Sequence, residues 1–239
     1  MAKIKEFDEA TPNSVSGRHF ARNVVASLPK LLPHVSGFTL AKYVPAPTVE
    51  ERLAKWGHDD VVQMLAGSQS PDVLAKSWEN KLVSELSAHD DRDEASREFQ
   101  VAASDLSEDF LDSCIRRLVP GEVLALSSLC TLATGERAHL PLMDFRPAPS
   151  AAGLSMIQAA CRALRLAHGV ILTSGRSYHA YAYMALSPDA WWKLMIKAIL
   201  LAPLVDVRYV AHRLLAGRAV LRITSTNLKP TEPEVVHEF

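Results

Sequence analysis

Gly169-Val-Ile-Leu-Thr-Ser-Gly-Arg-Ser-Tyr-His-Ala-Tyr-Ala-Tyr-Met-Ala185 is the stretch on which the reading of this chain turns. Gly169 to Thr173 is a short apolar run with β-branched residues, the pattern of a buried strand. Thr173-Ser-Gly-Arg176 carries turn residues. From Ser177 to Ala185 the residues alternate, which predicts a second strand. Period-2 geometry then puts Ser177, His179, Tyr181 and Tyr183 on one face, and Tyr178, Ala180, Ala182 and Met184 on the other. The turn brings the Arg176 guanidinium and backbone N–H groups beside the polar face. Ser177 and His179 supply two more donors, so a phosphate would suit the place. A core histidine with a tyrosine stripe in a sheet produces the same pattern.

Outward from this hairpin, carboxylates are scarce. Between Arg137 and Lys229 there are 12 basic residues and three acids, Asp144, Asp189 and Asp206. Asp144 closes an apolar run, Leu140-Pro-Leu-Met-Asp144, so it either stands at a strand's mouth or is buried with a partner. Asp206 precedes a helical pattern, where an N-cap is the simple reading. Behind it Arg208 and His212 lie one helical turn apart with Arg213 adjacent, and Arg222 on the last alternating run adds a cation. Two carboxylates near a phosphate-binding face offer the hard oxygen ligands a divalent cation takes, with substrate phosphates completing its shell.

The rest of the chain frames these residues. A helix is expected from Asn13 or Ser14 to about Leu32, then a turn-rich connection from Gly37 to Pro47. Thr48-Val-Glu-Glu51 reads as a capping box for a helix ending near Gly67, and Ser70-Pro-Asp72 starts another through about Ala88. His89 to Arg97 is charge-dense, and Ser107 to Leu118 is helical. After Pro120-Gly121 the period changes. Glu122 to Ala133 and His139 to Phe145 read as strands. Leu154, Ile157, Cys161 and Leu164 recur at helical spacing, with Gly169 suited to the C′ position. Ser187-Pro-Asp189 opens a helix through Leu201, and Asp206 to Ala216 another, ending at Gly217. Arg218 to Thr224 alternates. The result is an α+β chain with a mostly helical region over residues 1–118 and an α/β module over 119–239.

Composition bounds the function. At 239 residues and 48% hydrophobic content the chain buries a substantial core. Cys114, Cys130 and Cys161 lie far apart with no CxxC pair and no finger histidines, which argues against structural zinc and a disulfide framework and for buried thiols. No apolar signal core opens the sequence, and Lys193, Lys197 and Pro203 interrupt its most apolar run, so a cytoplasmic protein without membrane contact is expected. The net charge of −1 hides an asymmetry. Residues 1–118 hold 14 Lys/Arg and 19 Asp/Glu, whereas 119–239 hold 12 and 8. The basic half favours a polyanionic ligand, and the acidic region suits a basic protein partner.

The order Met143-Asp-Phe145, then Ser174-Gly-Arg-Ser-Tyr-His179, then Val205-Asp206 resembles the catalytic core of the archaeo-eukaryotic primase superfamily, the primases and primase-polymerases. Arg208-Tyr-Val-Ala-His-Arg213, Leu221-Arg-Ile-Thr224 and Lys229-Pro230 are similar to a bacterial primase-like branch. The resemblance covers residues 120–235. It implies an RRM-type mixed sheet module performing metal-dependent nucleotidyl transfer, with DNA or RNA as template. Asp144 and Asp206 would hold Mg²⁺ or Mn²⁺, one site rather than two, and with His179 would form the catalytic set. Arg176, Ser177 and His179, joined by Arg208, His212, Arg213 and Arg222, would grip the nucleoside triphosphate. Active members carry Asp-x-Asp in the first motif, whereas Arg146 stands at the second position here.

That arginine keeps a second reading open: a catalytically lapsed primase-fold subunit that binds nucleotide or nucleic acid within a larger bacterial complex, by analogy a phage-defence one. A Ser-His-Asp hydrolase built on Ser177, His179 and Asp206 lacks the G-x-S-x-G context such a nucleophile needs.

Overall fold

The computed structural model describes residues 19–45, 97–225 and 230–239. The helices expected between residues 48 and 88, the charge-dense run up to residue 96, and the start of the first helix lie outside these residues.

The described chain opens with α1 (Ala21–Leu31), whose Ala21, Val24, Val25 and Leu28 make a buried stripe at helical spacing. β1 follows (Val35–Tyr43), where a turn-rich connection was expected. Gly37 suggested a turn, but Phe38, Leu40 and Ala41 are fully buried, and the segment is hydrogen-bonded along both edges. Tertiary pairing overrides local turn propensity here. β2 (Arg97–Ala102) pairs with one edge of β1. α2 (Glu108–Arg116) is capped by the Ser107 hydroxyl, which accepts from Phe110 N at 3.2 Å. β3 (Val123–Leu132) pairs with the other edge of β1 over its whole length. Residues on both sides of position 118 therefore share one sheet.

Where a single strand was expected from His139 to Phe145, there are two: β4 (Arg137–His139) and β5 (Leu142–Phe145). Proline has no N–H to give a ladder, and the chain changes sheets at Pro141. Leu140 N still bonds Ser128 O on β3 at 2.7 Å, while Pro141 O already accepts from Ala182 N at 3.1 Å. α3 (Ala151–Ala163) is capped by Ser150. Arg165, at φ 58°, takes the left-handed turn after it, not Gly169. Gly169 instead begins β6 (Gly169–Thr173), where a Cβ would lie 2.2 Å from Tyr181 O. β7 (Tyr178–Ala182) is shorter at both ends than expected, leaving Ser177 in the turn. α4 (Pro188–Ile199) starts with Ser187 as cap and Pro188 in its first turn, and α5 (Val207–Ala216) ends at left-handed Gly217. β8 (Val220–Arg222) and β9 (Glu234–Glu238) complete the chain.

Among the described residues these strands form two antiparallel sheets. The first has the order β2-β1-β3-β4, with β8 on the same edge of β3 as β4 but further along: Ala125 to Ser127 face β8, and Leu129 to Thr131 face β4. The second has the order β5-β7-β6-β9. β7 is antiparallel to both β5 and β6. β5-α3-β6 is thus a split β-α-β unit with β7 inserted, and the α+β, RRM-type expectation holds. One apolar cluster joins both sheets, from Leu28 and Phe38 through Leu126 and Phe145 to Trp191 and Val210. All three cysteines are buried thiols, and burial raises Cys130 and Cys161 to about 12. Among the described residues no helix is long and apolar enough to cross a membrane.

Candidate functional site

The antiparallel register sets Asp144 of β5 directly opposite His179 of β7. Cross-strand partners share a face, and the Asp144 Oδ1 and His179 Nε2 atoms stand 3.8 Å apart. His179 is buried, whereas Asp144 keeps about a quarter of its side chain open (28% exposed). The two residues that spacing put forward are therefore brought together by strand pairing alone.

Next to them is the turn between β6 and β7. Ser174 N donates to Ser177 O at 2.9 Å, and the two hydroxyls lie 3.1 Å apart. Gly175 occupies the first central position at φ +99°, as a tight hairpin of this length demands. A Cβ there would also stand 2.9 Å from Thr231 Oγ1. Arg176 is exposed at the turn's tip.

These residues border a cleft of about 370 Å³ lined by Asp144, Ser174 to Ser177, His179, Arg213 and Arg222, with Tyr43, Pro45, Tyr209, Val220, Leu221, Pro230 and Thr231. Three arginines and one described carboxylate make it a place for an anion. Tyr43, Tyr181 and Tyr209 are all held protonated, burial being the largest cause in each case and the Asp144 charge a lesser one. The Arg213 guanidinium lies over the Tyr209 ring, 5.5 Å from its centroid, and the Tyr209 hydroxyl donates to Leu142 O at 3.2 Å.

The remaining expected residues are distributed differently. Val205 bridges Phe145, and Asp206 N donates to Asp144 O at 3.2 Å, so the two aspartates are backbone neighbours. The Asp206 carboxylate nevertheless caps α5: Oδ1 accepts from Arg208 N at 3.0 Å and Tyr209 N at 3.2 Å. Asp206, Arg208 and His212 are not among the cleft's lining residues. Neither is Arg146, which is exposed, its N–H donating to Leu204 O just past the end of β5. Backbone pairing with residues 204–206 runs on through Arg146, but its side chain is not among those that line the cleft with Asp144. Arg222 does line the cleft, but it is buried and its guanidinium is occupied by main-chain carbonyls. Among the described residues no three His, Cys, Asp or Glu side chains cluster as a metal site.

Tyr43, Pro45, Tyr209 and Thr231 were not foreseen. Tyr209 was within reach of sequence reasoning, three residues into a helix whose cap had been identified. Tyr43 was not, because its strand was read as a connection.

A family model described as archaeo-eukaryotic primase 1D-like matches residues 102–235, more than half of the chain. No curated protein and no solved structure matches. The matched span runs from the end of β2 to the start of β9 and includes the Asp144–His179 pair, the Ser174–Ser177 turn and capping Asp206, so both motif order and architecture agree with it: the chain belongs to the archaeo-eukaryotic primase-like family.

Proposed function

We propose that the cleft binds the triphosphate of a nucleotide and that the chain is a primase-like nucleotidyltransferase module, extending or making a primer on a DNA or RNA template. The observation that carries this reading is the convergence of Arg176 and Arg213 with Ser177 and His179, and of the carbonyl-bound Arg222 charge in the wall, on one cleft whose single described acid is Asp144. Arginines offer planar, charge-assisted donors to phosphate oxygens, and the half-apolar wall of Tyr43, Pro45, Val220 and Leu221 suits the rest of a nucleotide. The described donor set suits one metal ion rather than two, since Asp144 is the one carboxylate among the cleft's lining residues and Asp206 Oδ1 caps α5. It fits a single Mg²⁺ or Mn²⁺ held by Asp144 and completed by the substrate's own phosphates. Such an ion would neutralise charge developing on the transferred phosphoryl group.

The same shortage of acids favours a second reading, a subunit that binds nucleotide or nucleic-acid ends without turnover inside a larger assembly. One set of measurements separates the two. With primed template, ribo- or deoxynucleotides and Mg²⁺ or Mn²⁺, the enzyme reading expects extension that Asp144→Asn abolishes. Salt-sensitive ATP binding, weakened by Arg176→Ala but without product under any of these conditions, selects the binding subunit. Neither product nor binding removes both.

A further inference from the structure

Arg222 is buried (6% exposed), yet it carries a full guanidinium into the cleft wall. Nη1 donates to Thr224 O at 2.8 Å and Thr231 O at 2.7 Å, and Nη2 to Ser174 O at 2.6 Å. Those carbonyls belong to three separate pieces of chain: the residues after β8, the segment leading into β9, and the first residue of the phosphate-side turn. The Arg222 main chain is itself held, because the Tyr181 hydroxyl donates to Arg222 O at 3.3 Å. Gly175 closes the same junction from the other side, with no room for a Cβ against Thr231. Among the described residues, the other bonds and contacts given for the Ser174–Ser177 turn are those of the hairpin itself and the approach of Gly175 to Thr231.

We propose that Arg222 is a positioning residue: its guanidinium ties the Ser174–Ser177 turn to the Thr231 segment and so sets how Arg176 and Ser177 meet a phosphate, given that the cleft binds a triphosphate. The chemistry requires arginine. Three short, charge-assisted bonds to carbonyls lying in different directions need a planar fork, which a lysine ammonium on a flexible stem does not reproduce. Burial lowers the basicity of Arg222, but an arginine starts so high that it stays charged. A direct phosphate ligand behaves oppositely, since lysine serves phosphate well as a point charge.

The test pairs Arg222→Lys with two readouts on the full chain: affinity for ATP and for inorganic tripolyphosphate by calorimetry, and amide exchange without ligand. The expected result is an affinity loss of about tenfold or more for both ligands, the size of one charge-assisted hydrogen bond. It comes with faster exchange in residues 174–177 and at Thr231 and Glu232, and unchanged protection in β1 and β3. Retained affinity with retained protection overturns the proposal, and so does loss of protection spread over both sheets. If wild-type protein binds neither ligand, the triphosphate reading fails, and exchange alone decides whether the tether exists. Should Arg222→Lys not fold, Gly175→Ala loads the same junction from the turn side. A comparable affinity loss supports the proposal, and unchanged binding and exchange refute it.

Discussion

His139 shows how one residue's surroundings fix its charge. Its ring stacks on Trp191 with centroids 4.5 Å apart, and its Nδ1 lies 3.1 Å from Ser128 Oγ. Ser128 Oγ accepts from Ala219 N at 2.9 Å, which leaves its own proton to give to Nδ1. A neutral imidazole accepting at Nδ1 satisfies both groups. Burial, with a smaller push from the Arg137 charge, lowers His139 to about 4. Its unfolded value is about 6.5, so as pH falls through that value the unfolded chain takes up a proton that the folded chain refuses. The stability present above about pH 6.5 is therefore lost progressively down to about pH 4. Urea unfolding of wild type and His139→Phe at pH 7 and pH 4.5 checks this. The variant should lose most of the pH-dependent difference, whereas the same difference in both proteins would assign the acid sensitivity elsewhere. Asp144 and His179 were each legible as candidates, one closing an apolar run and the other on an alternating strand, but their pairing rests on the non-local register of β5 with β7. The His139 cluster was not legible, since it needs α4 laid against β4, a contact no local pattern encodes.

At the scale of the element, α5 carries two claims on one residue. Asp206 caps the helix through two backbone N–H groups and is also the acid of the third family motif. The claims separate by substitution. Asp206→Ala removes the acceptor and should cost about 1 kcal/mol of stability, read by thermal or urea unfolding. Asp206→Asn keeps an acceptor of similar cap strength and should stay within a few tenths of a kcal/mol of wild type. If primer extension is found, loss of it in a stable Asp206→Asn assigns the second carboxylate oxygen to catalysis, while full activity leaves α5 capping as its whole role. The helix was readable because its start, an Asp cap, and its stop, left-handed Gly217, are both local chemistry. The same holds for Ser107 before α2 and Ser187-Pro188 before α4. Strands were less legible. β1 was missed because its burial comes from partners on both edges, and β4 and β5 were merged because the change of sheet at Pro141 leaves the apolar pattern unbroken.

At the scale of the molecule, β3 decides whether the family module can stand alone. The sequence divides at residue 118 by charge and period, and the family match begins only at residue 102. β3 nonetheless gives one whole edge to β1, with Phe38 opposite Cys130 and Leu40 opposite Leu126. Leu28, Phe38, Leu40 and Leu111, all essentially inaccessible, lie on the N-terminal side of that division. Burying a large apolar side chain contributes about 2 kcal/mol, so these four alone weigh about as much as the net stability of an ordinary domain, about 5–15 kcal/mol. Cutting at 118 would also leave the β3 edge groups without partners. A fragment of residues 119–239 should therefore fail to unfold cooperatively and should show poorly dispersed amide resonances. Leu40→Ala in the full chain should cost about 2–5 kcal/mol while leaving the fold intact. A soluble, cooperatively folded fragment would make the N-terminal strands an accessory layer. The cleft adds a functional side to the argument, because Tyr43 and Pro45 reach it from β1 and the residues just after it. A fragment that folded without them should still bind ATP more weakly than the full chain, since one wall of its site would be missing.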